Sequence, residues 1–108
     1  MTHSKITPTH PGIVLQKEFL EPYGLTAAKI ARETGIPASR LCEIFAGRRG
    51  ITADTAIRLG KLLGLNPQGF VNMQATYDRV MAEIAIEHAR PPLRIKPLKL
   101  QLARAWGA

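Results

Sequence analysis

The 108-residue chain reads as an all-α domain of five helices followed by a basic tail, and three observations carry that reading. Apolar residues recur at intervals of three and four through most of its length. The nine glycines and eight prolines gather mainly at the boundaries of those periodic stretches, as short helices joined by tight turns require. The residues are 45% hydrophobic but only 6% aromatic, which suits one small core of aliphatic side chains and leaves no room for a second domain.

Each element follows from local chemistry. Residues 1–10 are a polar arm, expected to be flexible. Pro11 opens the first helix, which carries Ile13, Val14, Leu15, Phe19 and Leu20 until Pro22 ends it. Thr26 stands where an N-cap belongs and opens a second helix with Ile30 and Ala31 on one face. Thr34-Gly35 stops it, Gly35 supplying the positive φ of a sharp turn and Ile36 plugging the corner. Pro37, which has no N–H to leave unpaired, starts a third helix whose buried stripe is Leu41, Ile44 and Phe45 and whose end is Gly47. Thr52 caps a fourth helix with Ala56, Ile57, Leu59, Leu62 and Leu63 mostly inward, and Gly64 closes it. Asn66-Pro67 begins a longer fifth helix that reaches about His88.

The second and third helices, joined through a glycine, have helix-turn-helix spacing, and that spacing predicts DNA recognition. The outward side of the third helix carries Ala38, Ser39, Arg40, Cys42 and Glu43 near its N-terminal end, where recognition helices meet base edges. Ala38, Ser39, Arg40 and Glu43 are the candidate base contacts. A guanidinium donates to guanine and a carboxylate accepts from cytosine. Glu43 has a second reading, an ion pair with Arg40 three residues earlier. Thr26, Lys29, Arg48 and Arg49 are the candidate contacts to the DNA backbone, which add affinity without selecting sequence. A plain helical hairpin with a solvated basic turn is the alternative for the same residues.

The fifth helix has more apolar stripe than one small bundle needs: Phe70, Met73, Tyr77, Val80, Met81 and Ile84 recur along about four turns. Tyr77, Val80, Met81 and Ile84 are therefore the predicted homodimer interface, with cover for the domain's own core as the other reading. A two-fold pair sets two recognition helices about 34 Å apart, in successive major grooves of a palindrome.

The net charge of +7 is uneven. Residues 1–88 hold ten Lys or Arg against eight Asp or Glu, whereas residues 89–108 hold Arg90, Arg94, Lys96, Lys99 and Arg104 with no acid. Such a tail can follow a DNA backbone or serve as a solubilising end. Its alternation over Leu93–Leu102 suits an edge strand or a segment added to a partner's sheet. Leu98, Leu102 and Trp106, four apart, suit a short helix after Pro97. The domain reading is thus an arm over 1–10, a DNA-binding and dimerisation unit over 11–88, and a basic tail over 89–108.

Other function classes are disfavoured. Cys42 is the only cysteine, and His3, His10 and His88 lack metal-ligand spacing, so neither a metal nor a cofactor is expected. No nucleophile motif or phosphate loop appears, which argues against an enzyme. No apolar stretch approaches the roughly 18 residues of a membrane span, and the N-terminus lacks a signal peptide's apolar centre, so a cytoplasmic protein is expected.

The segments His10-Pro11-Gly12, Phe19-Leu20-Glu21-Pro22, Gly24-Leu25, Gly47-Arg48-Arg49-Gly50-Ile51 and Asn72-Met73-Gln74-Ala75-Thr76-Tyr77-Asp78 together resemble the HigA-type antitoxins. These belong to the lambda-repressor-like, or Xre, helix-turn-helix class, and the resemblance spans residues 8 to 85. It implies a five-helix lambda-repressor-like fold, a homodimer, and repression of the protein's own operon at a palindromic operator of double-stranded DNA. It also implies a toxin partner, in this family usually HigB, a small ribosome-dependent mRNA endonuclease encoded just upstream. The chain departs from the wider class at Ala27 and Ala38, where longer polar side chains are common. Two further readings therefore stay open: a stand-alone Xre-type regulator without a toxin, and a protein-interaction module whose helix-turn-helix no longer reads bases.

Overall fold

The computed structural model describes residues 7–100. Expectations for His3 in the arm, and for Leu102, Arg104 and Trp106 in the tail, lie outside the described residues. Helix α1 starts at Pro11, capped by His10, whose Nδ1 accepts from the Gly12 N–H at 2.9 Å. Its first turn, Pro11–Val14, is α-helical; it then widens to π-helical turns over Leu15–Leu20, with the Glu21 N–H bonded back to the Gln16 carbonyl. Pro22 explains the widening: it has no N–H for the Glu18 carbonyl, and its ring needs the space that carbonyl would fill. The helix carries Leu20 as expected, and Pro22 lies beyond it in a 3-10 turn, Glu21–Tyr23, closed by Gly24 at φ 68°.

Helices α2 (Ala27–Thr34), α3 (Ala38–Phe45), α4 (Ala53–Leu63) and α5 (Pro67–Glu87) follow. Thr26 and Thr52 cap α2 and α4 through their hydroxyl oxygens, and Asn66 caps α5, as their positions predict. Gly35, at φ 78°, turns the chain between α2 and α3. Pro37 occupies the N-cap of α3 rather than its first turn.

Leu15, Leu20, Ile30, Ile36, Leu41, Ile44 and Leu59 are buried at the centre, with Phe45, Ile51, Ala56 and Phe70 around them. Each fully buried Leu or Ile contributes about 1.5–3 kcal/mol relative to exposure. The expected inward face of α4 needs one correction. Ile57 is 47% exposed, because the buried phase runs through Thr55, Ala56, Leu59 and Gly60. Gly60 packs against the Leu65 carbonyl oxygen, from which a Cβ there would stand only 2.7 Å, so this buried position requires glycine.

One contact fixes α3 and another the end of α2. A Cβ on Gly12 would overlap the Ile44 carbonyl, so α1 and α3 touch backbone to backbone. Arg58 of α4 donates from Nη1 to the Thr34 carbonyl at 2.7 Å and from Nε to Asp54 at 3.0 Å, closing the end of α2. Beyond α5, no helix or strand occurs over residues 89–100, and Leu93, Ile95, Leu98 and Leu100 are all exposed. The edge-strand expectation for the tail is thus not met among the described residues, where no neighbouring strand offers a ladder.

Candidate nucleic-acid interface

The interface begins with the amphipathic phase of α3. Leu41, Ile44 and Phe45 are drawn into the core, which leaves two outward rows at i, i+4 spacing, Ala38 with Cys42 and Ser39 with Glu43. Ala38 and Ser39 are exposed, and Arg40 and Glu43 half-buried. Of the four predicted base-contact residues, Ala38, Ser39 and Glu43 lie on these rows, and Arg40 flanks them, one turn before the buried Ile44.

The predicted backbone contacts flank it. The Thr26 hydroxyl accepts from the Lys29 N–H at 3.2 Å, at the N-terminus of α2. Lys29 Nζ lies 3.5 Å from Glu33. Arg48 and Arg49 follow α3 on an exposed turn. The ion pair read for Glu43 is corrected here. Its Oε1 accepts from Arg49 Nε at 2.7 Å, and no pair with Arg40 forms. Backbone geometry selects Arg49. Gly47 adopts φ 80°, its N–H bonds to the Ile44 carbonyl at 3.0 Å, and the Arg48 N–H bonds to the Glu43 carbonyl at 2.8 Å, folding the chain back over the last turn.

That turn is held from behind by α5. The Ile51 N–H donates to Gln74 Oε1 at 2.8 Å, and Gln74 Nε2 donates to Asp78 Oδ1 at 2.9 Å. A Cβ on Gly50 would stand 3.2 Å from the Gln74 amide, so the loop and this side chain pack closely here. One turn on, Tyr77 meets the His10 ring edge to face at 5.0 Å. Burial pushes His10 below the usual imidazole range, and the nearby Asp78 carboxylate opposes that shift. His10, Arg48, Arg49, Thr52, Gln74 and Tyr77 line a shallow cleft beside the end of α3. Residue-by-residue reasoning missed this clamp. Its signal was present in the His-Pro-Gly opening and the Asn-x-Gln-Ala-x-Tyr-Asp segment, whose side chains prove to meet each other.

The helix-turn-helix family model matches residues 16–70, which contain α2, α3, α4 and the turns between them. The antitoxin HigA-1 of Vibrio cholerae is 33% identical over 78 residues, covering 72% of this chain and 73% of that one. The chain belongs to the helix-turn-helix family, in its HigA-type antitoxin branch. Another relative of this HigA-type chain, virulence-associated protein I of Dichelobacter nodosus, is 47% identical over 74 residues, 68% of each chain. Among solved structures, the Pseudomonas aeruginosa antitoxin HigA with the higBA promoter superposes with a TM-score of 0.75 at 37% identity, covering 84% of this chain and 98% of that one. The fold expected for a HigA-type protein, five helices around a helix-turn-helix, is the fold observed. Among the described residues, no helix is long and apolar enough to cross a membrane, and no group of three His, Cys, Asp or Glu could hold a metal ion.

Proposed function

We propose that this HigA-type chain is a cytoplasmic, non-catalytic repressor that binds the palindromic operator of its own operon as a homodimer and neutralises a HigB-type mRNA endonuclease. The observation that carries the reading is α3, whose outward N-terminal side is polar while the turn beyond it is cationic and clamped to α5. Ser39 and Arg40 contact base edges, with the Ala38 methyl beside them, while Thr26, Lys29 and Arg48 hold phosphates. Tyr77, Val80, Met81 and Ile84 pack on the twin subunit. The Pseudomonas HigA bound to the higBA promoter supports the operator half of this reading, and the family name supports the toxin half.

Two experiments test it. Cells expressing the short open reading frame immediately upstream should stop growing, and this chain supplied alongside should restore growth. Arrest that it leaves unrelieved overturns the antitoxin role, and no arrest leaves a regulator acting alone. Duplex binding at rising salt tests the rest. A reader of sequence keeps discriminating its operator from random DNA, whereas a merely electrostatic binder loses both together.

A further inference from the structure

Resting on the operator-binding reading above, we infer that Arg49 reads a guanine in each half-site and that Glu43 is its positioning residue. Glu43 lies on the outward row of α3, four residues after Ser39, so its carboxylate faces whatever α3 faces. A bare carboxylate there is repelled by phosphates. Arg49 cancels that charge through Nε, at 2.7 Å from Glu43 Oε1. The resulting pair is neutral, which makes it a poor phosphate clamp. It is a well-aimed donor all the same. With Nε engaged, both Nη groups remain in the guanidinium plane, and a two-pronged donor in a fixed plane matches O6 and N7 of guanine.

The neighbouring arginine sharpens the argument. Arg48 is exposed and forms no ion pair among the described residues, so it keeps its full charge in no fixed direction, as a phosphate contact needs. Arg49, one residue later, is oriented. Its backbone is fixed as well, between the Arg48–Glu43 hydrogen bond at 2.8 Å and the Ile51–Gln74 bond at 2.8 Å. A rigid turn and a side chain held by a carboxylate are what discrimination between bases requires, and nonspecific attraction requires neither.

The test uses the full chain. A duplex is first selected from a randomised library, and affinity is then measured for every single base-pair change, with circular-dichroism melting to show each variant folded. Arg49→Ala is expected to abolish, at one G·C pair per half-site, a preference of about tenfold or more. Glu43→Ala should abolish the preference at that same pair. Glu43→Gln should keep it, since the amide oxygen still accepts from Nε, and Arg49→Lys should not restore it. If Arg49→Ala instead weakens all duplexes alike and lowers the salt slope by about one, Arg49 is a phosphate contact and the inference is overturned. A Glu43→Ala effect at a different pair overturns it too, because Glu43 would then read its own base. Enrichment of no duplex by the unaltered chain overturns the operator reading itself, and this inference with it.

Discussion

The two halves of α5 are built to different standards. From Phe70 to Asp78 the helix is bound into the domain. Phe70 is 3% exposed, Met73 packs on the core, Gln74 holds the Ile51 N–H, and Tyr77 lies on His10. From Arg79 to Glu87 no residue is buried; Arg79 pairs with Glu83 on the same helix, and Ile86 is 50% exposed. The first half thus buttresses the turn that follows α3, while the second carries the apolar stripe onward with Val80, Met81 and Ile84 only half-buried among the described residues. One continuous helix serves as an internal brace and as an offered surface, and the division falls near Tyr77. If the proposed operator contacts and the proposed dimer interface hold, rigidity of the turn after α3 and association between subunits have separate supports, which mutation can separate.

The largest effect is expected on the braced side. Gly12→Ala forces a Cβ into the Ile44 carbonyl, a backbone atom that cannot swing aside, and α1 must lift from α3. Overpacking of this kind costs about 3 kcal/mol. At about 4–8 °C per kcal/mol for a domain of this size, Tm should fall by roughly 15 °C in a thermal melt. An unchanged melting point would mean that α1 and α3 are not in backbone contact.

Next comes the offered side. Met81→Glu is expected to raise the dimer dissociation constant about 100-fold, equivalent to about 2.7 kcal/mol, by placing a charge in the proposed apolar interface. The monomer's melting point should hardly move, since Met81 is only half-buried within one chain. Sedimentation at several concentrations measures the first quantity and a dilute melt the second. A large loss of monomer stability would return Met81 to the domain's own core and erase the contrast between the halves.

How much of this was legible in the sequence depends on how far each feature reaches along the chain. Caps and stops depend on one residue and its near neighbours, so Thr26, Gly35, Thr52, Gly64 and Asn66 could be placed without a structure. The inward face of α3 follows from periodicity alone. Ile57 did not, because Ala56 to Leu59 and Ala56 to Gly60 are both helical spacings, and packing against α5 chose the phase. The Glu43–Arg49 pair was misassigned to Arg40 because the i, i+3 rule weighs only partners on the same helix. Arg49 reaches Glu43 by the reversal at Gly47, six residues on. The clamp through Gln74 spans 23 residues, a distance no local rule covers.

A smaller loss tests that clamp. Gln74→Ala removes the acceptor from the Ile51 N–H, and Ile51 is 4% exposed, so the amide has poor access to water. An unsatisfied buried donor costs about 1–2 kcal/mol. Hydrogen exchange at the Ile51 amide should accelerate while exchange in the second half of α5 stays unchanged. Equal acceleration in both halves would show that they unfold as a single unit.

The smallest expected effect is a pH dependence confined to the braced half. His10 caps α1 through Nδ1, an acceptor only while the ring nitrogen is unprotonated, and its pKa is held below 6.5 by burial against the pull of Asp78. Between that lowered value and 6.5 the unfolded chain binds more protons than the folded one, so stability rises with pH across the window. The contribution is complete above about 6.5, is lost as pH falls through 6.5 toward the folded value, and changes no further below both. Asparagine can also cap a helix but does not titrate. The melting point of the unaltered chain should therefore drop more between about pH 7.5 and 5.5 than that of His10→Asn, with carboxylate effects common to both. Asp78→Asn removes the opposing attraction and should steepen the loss. Dimer affinity, which the proposed function assigns to the far half of α5, should not follow the His10 titration; if it did, the two halves would be coupled through Tyr77, which touches His10 and heads the proposed interface.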